Sequence, residues 1–234
     1  MNKIDMIHIF TKDEVKLQGL EFVNNGKTSN NNEPKDSKIT FVGETAITTS
    51  SNMKLKKKRK VNDDELYMIT FLNDNVEKLY KKFQEENIKC TKPKRGRRVN
   101  ILGIPCKTKF KYMYMSPFKN ANLKFCFREI DKSSDLLAYQ KAMIPNSAER
   151  DITGVKEIKI YDNFTAEDFT TLSKFLDKSY IDGEEFSAEI YSNQTLTLIG
   201  SDEIKFEITL DVRGKAFKGK EIPISDTSRI KFIY

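Results

Sequence analysis

The sequence holds one histidine, His8, and three cysteines, Cys90, Cys106 and Cys126. That scarcity removes whole classes of site. There is no CxxC pair, so neither a zinc ribbon nor a redox dithiol is expected. An odd number of cysteines at long spacings points to reduced thiols in a reducing compartment. No GxSxG elbow occurs, and Cys–His chemistry has no local signature, so the usual marks of nucleophilic catalysis are missing. No apolar stretch approaches the roughly 20 residues needed to span a bilayer. Asp5, Lys12, Asp13 and Glu14 break the basic-then-apolar pattern of a signal peptide. The cytoplasm is the expected compartment, with no membrane partner.

What is present is aromatic and basic. The 234 residues are 38% hydrophobic, with 16 Phe and 9 Tyr, and 32% charged, enough to bury a proper core. The net charge of +7 would help to attract a polyanion, but charge alone does not make a nucleic-acid protein. Much of the excess falls in two patches, Lys54–Lys60 and Lys89–Lys111.

The organisation is a strand–helix–strand–strand grammar that occurs twice, from Leu66 to Ile130 and from Val155 to Tyr234. Leu66–Leu72 is a near-continuous apolar run, as expected for a strand covered on both faces. Asn73 or Asp74 then caps a helix, with Glu77 as capping-box partner and Val76, Leu79, Tyr80, Phe83 and Ile88 as its apolar stripe. Two alternating strands follow, one through Phe110, Tyr112 and Tyr114 and one through Leu123, Phe125 and Phe127. In the second unit Thr165, Asp168 and the Phe164/Phe169 staple give the best helix start in the chain, ahead of Leu172, Phe175 and Leu176. Strands are expected at Phe186–Tyr191, Thr195–Ile199, Ile204–Val212 and Arg229–Tyr234. Earlier strands are read at residues 4–10, 39–42 and 46–50, and residues 24–38 read as a polar loop. One helix and several strands per unit imply largely antiparallel sheet with a helix on one face.

From Leu66 to Asp131 the order resembles a glyoxalase-like member of the vicinal oxygen chelate superfamily. The resemblance rests on the apolar strand, the Asn73–Asp74 helix start and the basic turn Lys94–Arg98. The aromatic strand Lys107–Met115 and the aromatic-then-acid strand Phe125–Glu129 complete it. It implies an α+β fold of paired βαβββ modules with curved, mostly antiparallel sheets, as in glyoxalase and bleomycin-resistance proteins. Residues 1–131 would form the divergent glyoxalase-like part, best matched over 66–131. Residues 132–154 would connect it to a C-terminal βαβββ-like module over 155–234.

In that superfamily a divalent metal is commonly held by His and Glu residues on strands and chelated by two substrate oxygens. The chain departs from this pattern. The first strand often carries Asp-His in such relatives, whereas here the pair is Asp5–Met6, and a thioether is a poor ligand for a hard divalent ion. The acid of the next edge strand falls near Thr48 or Thr49. Glu129 alone matches a possible ligand position. No metal or other cofactor is therefore expected. The alternative is a metal-dependent lyase, isomerase or dioxygenase in which His8, Glu44 and Glu129 converge.

The favoured expectation is a small-molecule-binding protein without metal-dependent catalysis. Its cleft is lined by Phe110, Tyr112, Tyr114, Phe125 and Phe127, with Arg128 as a directed polar group. His8 and Glu129 are the candidates for residual catalysis, His8 as a base or as a hydrogen-bonded core residue. A further alternative is a nucleic-acid or protein-interaction module using Lys56, Lys57, Lys58 and Arg59 with Arg95, Arg97 and Arg98. Period-2 alternation separates the Lys107, Lys109 and Lys111 side chains from the neighbouring aromatics, which favours a plain basic surface. Dimerisation could complete a cleft, so a homodimer is a possible assembly.

Overall fold

A computed structural model describes residues 2–12, 37–43, 45–51, 61–101, 104–130, 152–191, 193–214, 217 and 219–233. Two seven-stranded sheets share one apolar core. The first contains β1 (Asn2–Phe10), β2 (Ser37–Val42), β3 (Thr45–Ser50), β4 (Glu65–Asn73), β5 (Lys94–Ile101), β6 (Ile104–Met115) and β7 (Lys124–Ile130). Its spatial order is β2-β3-β1-β4-β7-β6-β5, with helix α1 (Val76–Glu85) between β4 and β5. The second contains β8 (Ile152–Asp162), β9 (Ser179–Asp182), β10 (Glu185–Glu189), β11 (Thr195–Gly200), β12 (Lys205–Val212), β13 (Glu221–Pro223) and β14 (Arg229–Ile233). Its order is β13-β14-β12-β8-β11-β10-β9, with helix α2 (Ala166–Ser173) between β8 and β9.

The two sheets repeat one plan with its halves exchanged along the chain. Each is built on a central antiparallel pair, β1/β4 or β12/β8, flanked on either side by a parallel partner. In the first sheet the three-strand half (β1–β3) precedes the strand–helix–three-strand half. In the second the helix-bearing half comes first, and β12–β14 close the sheet. The doubled grammar seen from Leu66 therefore corresponds to the two helix-bearing halves, adjacent in sequence.

Strand alternation decides what each face carries. Ile7, Ile9, Ile69, Phe71, Phe125 and Phe127 enter the shared core, as do Ile158, Ile160, Leu196, Leu198, Ile208 and Leu210 from the second sheet. Both helices lie in this layer. Phe83 of α1 meets Phe175, just beyond α2, at a centroid separation of 5.2 Å, and both meet Phe127. Phe118 and Phe164 add a second contact between the halves at 4.9 Å. Thr165 and Asp168 form the expected capping box on α2, with Phe164 against Phe169.

Two local expectations need correction, and two short strands were not expected. The cap of α1 is Asn75, whose side chain accepts from Lys78 N, while Asn73 Oδ1 holds the Asn75 amide. The basic turn at Lys94–Arg98 is the edge strand β5, paired with β6 from Lys94↔Tyr112 onward. Gly96 suits that strand because a Cβ there would lie 2.5 Å from the Phe110 ring. The short strands β9 and β13 lack an alternating apolar signal and went unread. Residues 54–60 and 132–150 lie outside the described residues, as does most of the 24–38 loop.

Candidate ligand face

The face of the first sheet turned away from the shared core gathers the polar and aromatic residues. Its second apolar cluster comprises Phe10, Val61, Tyr67, Met68 and Cys126, with Tyr112 and Tyr114 half-buried against it. Two bulges shape it. In β4, His8 faces Met68 and Ile9 faces Leu66, so Tyr67 is an extra residue and can share a cluster with its neighbour Met68. In β1, Ile4 faces Phe71 and Met6 faces Thr70, which leaves Asp5 as the extra residue. Its Oδ2 accepts a hydrogen bond from Arg128 Nη2, and both side chains are buried.

The Asp5–Met6 pair therefore has a specific structural use. Asp5 is the counter-ion of a buried guanidinium rather than the lead-in to a metal ligand. Arg128 in turn sits 5.7 Å from the centroid of Phe110. Phe110, Tyr112 and Tyr114 continue from it as a ladder, with successive centroids 5.8 and 5.5 Å apart. All three are half-buried. His8 lies on the same face, with Nε2 3.0 Å from Thr70 Oγ1 and its ring 6.0 Å from that of Tyr67.

Phe125 and Phe127 do not belong to this ladder. Their side chains are fully buried in the shared core, where Phe71 packs on both. Residues 125 and 127 alternate with 126 and 128, so the strand that presents Arg128 to one face sends these rings to the other. Glu129 also points to the core side. Its Oε2 accepts from Val76 N at 2.9 Å, and Oε1 is 3.8 Å from Lys111 Nζ. A carboxylate there neutralises the positive end of α1. His8 and Glu129 are thus on opposite faces, and Glu44 lies outside the described residues.

The resemblance to the vicinal oxygen chelate superfamily implies a metal, and the described donors can be tested against it. Among the described residues no three His, Cys, Asp or Glu side chains cluster as a metal site requires. The histidine is engaged with Thr70, the one matching acid caps a helix, and neither faces the other. This donor set does not fit a divalent ion.

The corresponding face of the second sheet was not singled out in the sequence. Ser187, Thr197, Lys159, Glu207 and Arg229 lie directly opposite one another across five strands. Ser187 and Thr197 hydroxyls are 3.1 Å apart, and Lys231 bridges to Glu207 at 2.8 Å. The row is ionic and hydroxylic, with no histidine. Its signal was the polar half of the strict alternation from Ile204 to Val212, read only for its apolar half.

The basic alternative is partly visible. Lys92, Lys94 and Arg95 are exposed on and beside edge strand β5, while the side chains of Arg97 and Arg98 and the run Lys56, Lys57, Lys58 and Arg59 lie outside the described residues. Lys111 bridges Glu129 and Glu77 instead of standing on the aromatic face. No helix among the described residues is long and apolar enough to cross a membrane.

No protein-family model and no curated protein matches the chain. Solved structures do. A hypothetical protein from Staphylococcus aureus matches over 100% of both chains, with 12% identity and a TM-score of 0.72. A variant of homoprotocatechuate 2,3-dioxygenase from Brevibacterium fuscum matches at 11% identity and TM-score 0.55, over 98% of this chain and 70% of its own. A mutant 4-hydroxymandelate synthase from Streptomyces coelicolor gives 11% and 0.53, over 91% of this chain and 71% of its own. The chain has the α+β fold of the vicinal oxygen chelate proteins, glyoxalase-like in its paired, curved sheets. At such identities the likeness is one of fold alone.

Proposed function

We propose that the protein binds a small aromatic or apolar molecule on the outer face of its first sheet, without metal-dependent catalysis. The observation that carries this reading is the ladder Phe110–Tyr112–Tyr114 beside a buried arginine on the same face as His8. Half-exposed rings supply contact area at low entropic cost, and a few fixed polar groups orient a ligand. Arg128 is held by Asp5 and His8 by Thr70, so both are positioned before anything binds. Because the fold neighbours include dioxygenases, a metal-dependent lyase, isomerase or dioxygenase is the competing reading. A nucleic-acid role for the Lys92–Arg98 segment rests on charge alone. The cytoplasm remains the expected compartment, and a homodimer is a possible assembly.

Ligand-detected NMR on the full chain tests the reading, using benzoate, phenol and cyclohexanecarboxylate as probes. Saturation transfer to an aromatic probe that is lost in Tyr112→Ala and Tyr114→Ala, with the fold intact, is the expected result. Transfer that survives both changes, or none at all, contradicts it. Binding of a duplex oligonucleotide that falls steeply with salt and is lost on replacing Arg95, Arg97 and Arg98 would favour the basic-surface reading instead.

A further inference from the structure

The aromatic ladder ends at the sheet edge beside a positive charge. Lys94 of β5 is the register partner of Tyr112, and Gly96 is the partner of Phe110. Directly opposed residues of an antiparallel pair share one face, with Cβ atoms roughly 5 Å apart. Lys94 therefore stands on the face that carries Phe110 and Tyr112. Gly96 has no side chain to compete there, so the Phe110 ring lies across β5, where an added Cβ would be 2.5 Å from it. The aromatic shelf thus reaches the strand that holds the ammonium.

These groups are open to solvent. Phe110 and Tyr112 are half-buried, with centroids 5.8 Å apart, and Lys94 is exposed. Among the described residues the Lys94 ammonium has no ion-pair or hydrogen-bond partner. The guanidinium of Arg128, 5.7 Å from the Phe110 centroid, is already matched by Asp5. That leaves Lys94 as the unmatched charge beside the two rings.

An unmatched cation at the rim of a flat apolar surface favours a ligand that offers both a ring and a negative group. A lysine on a strand edge also discourages pairing with another sheet. That role alone would leave the charge of a ligand without effect, so the two uses are separable. We infer that the aromatic face selects a ring-bearing organic anion, its ring on Phe110 and Tyr112 and its carboxylate, sulfonate or phosphate on the Lys94 ammonium. This rests on the binding face proposed above and adds the charge of the ligand and the residue that reads it.

NMR titrations of the full chain with two matched pairs, benzoate against benzamide and benzenesulfonate against benzenesulfonamide, test the inference. Each anion should bind about threefold more tightly than its neutral isostere at low salt, the scale of an exposed ion pair. The difference should shrink as salt is raised. Lys94→Met should remove the preference while the neutral ligands still bind, and Lys94→Arg should keep it. Tyr112→Ala should weaken all four. Equal affinities within both pairs, or a preference that persists in Lys94→Met, would overturn the inference and leave the ring-binding face standing. Failure of all four to bind at millimolar concentration would overturn the face and the inference together.

Discussion

Glu129 Oε2 accepts a hydrogen bond from the backbone amide of Val76, 53 residues earlier in the chain, at 2.9 Å. This contact ties β7 to the first turn of α1 and gives the carboxylate a structural role. Glu129→Ala should therefore cost about 1 kcal/mol, in line with other helix-start acceptors. Urea denaturation reads that cost directly. Ligand binding on the aromatic face should be unchanged, because Glu129 lies on the other side of the sheet. A folded variant that lost binding would place Glu129 in the site after all.

Asp5 and Arg128 form the second relationship to test. Removing one partner strands a buried charge, so Asp5→Asn or Arg128→Met should each destabilise the protein by about 3–5 kcal/mol. The double replacement Asp5→Leu with Arg128→Met should cost much less than the sum of the two, since no charge remains buried. A double-mutant cycle by equilibrium unfolding measures this coupling. Additive effects would mean that the pair is not coupled.

Glu65 sets a pH dependence. Burial pushes its carboxyl above the ordinary range, Asp162 raises it further, and the Asn62 amide at 2.5 Å pulls the other way. Asp162 is itself raised by burial. A carboxyl whose pKa is higher in the native than in the unfolded chain binds its proton more tightly when folded. Its stabilising contribution is complete below the unfolded value and is lost as pH rises through the native one. Glu65→Gln should therefore raise the melting temperature more at pH 8 than at pH 4. Thermal melts of both proteins across that range decide it, and a larger gain at the acid end would contradict the assignment.

The strands and helices were legible wherever burial imposed a period. The alternation read over Ile204–Val212 contains β12 (Lys205–Val212), and Thr165 with Asp168 marks the start of α2 because both hydrogen bonds of the box are local. The cap of α1 was misplaced by one or two residues because Asn73, Asp74 and Asn75 are all competent caps. Only the turn geometry picks Asn75. The site was less legible. Alternation groups Phe110 with Tyr112 and Tyr114, and Phe125 with Phe127, but it does not say which set faces the core. That choice is made by α1 and the second sheet, which close over Phe125 and Phe127. Bulges at Asp5 and Tyr67 shift the register without a sequence mark, so the Asp5–Arg128 pair was invisible.

The most direct test of the central claim, that the first sheet works as a ligand-binding face without a metal, is metal content with a chelator melt. Tag-free protein would be analysed for bound metal, then melted before and after chelation and after addition of common divalent ions. The account predicts substoichiometric metal and a melting temperature unmoved by either treatment. Stoichiometric metal, with a melting temperature that falls on chelation and recovers on reloading, would contradict it.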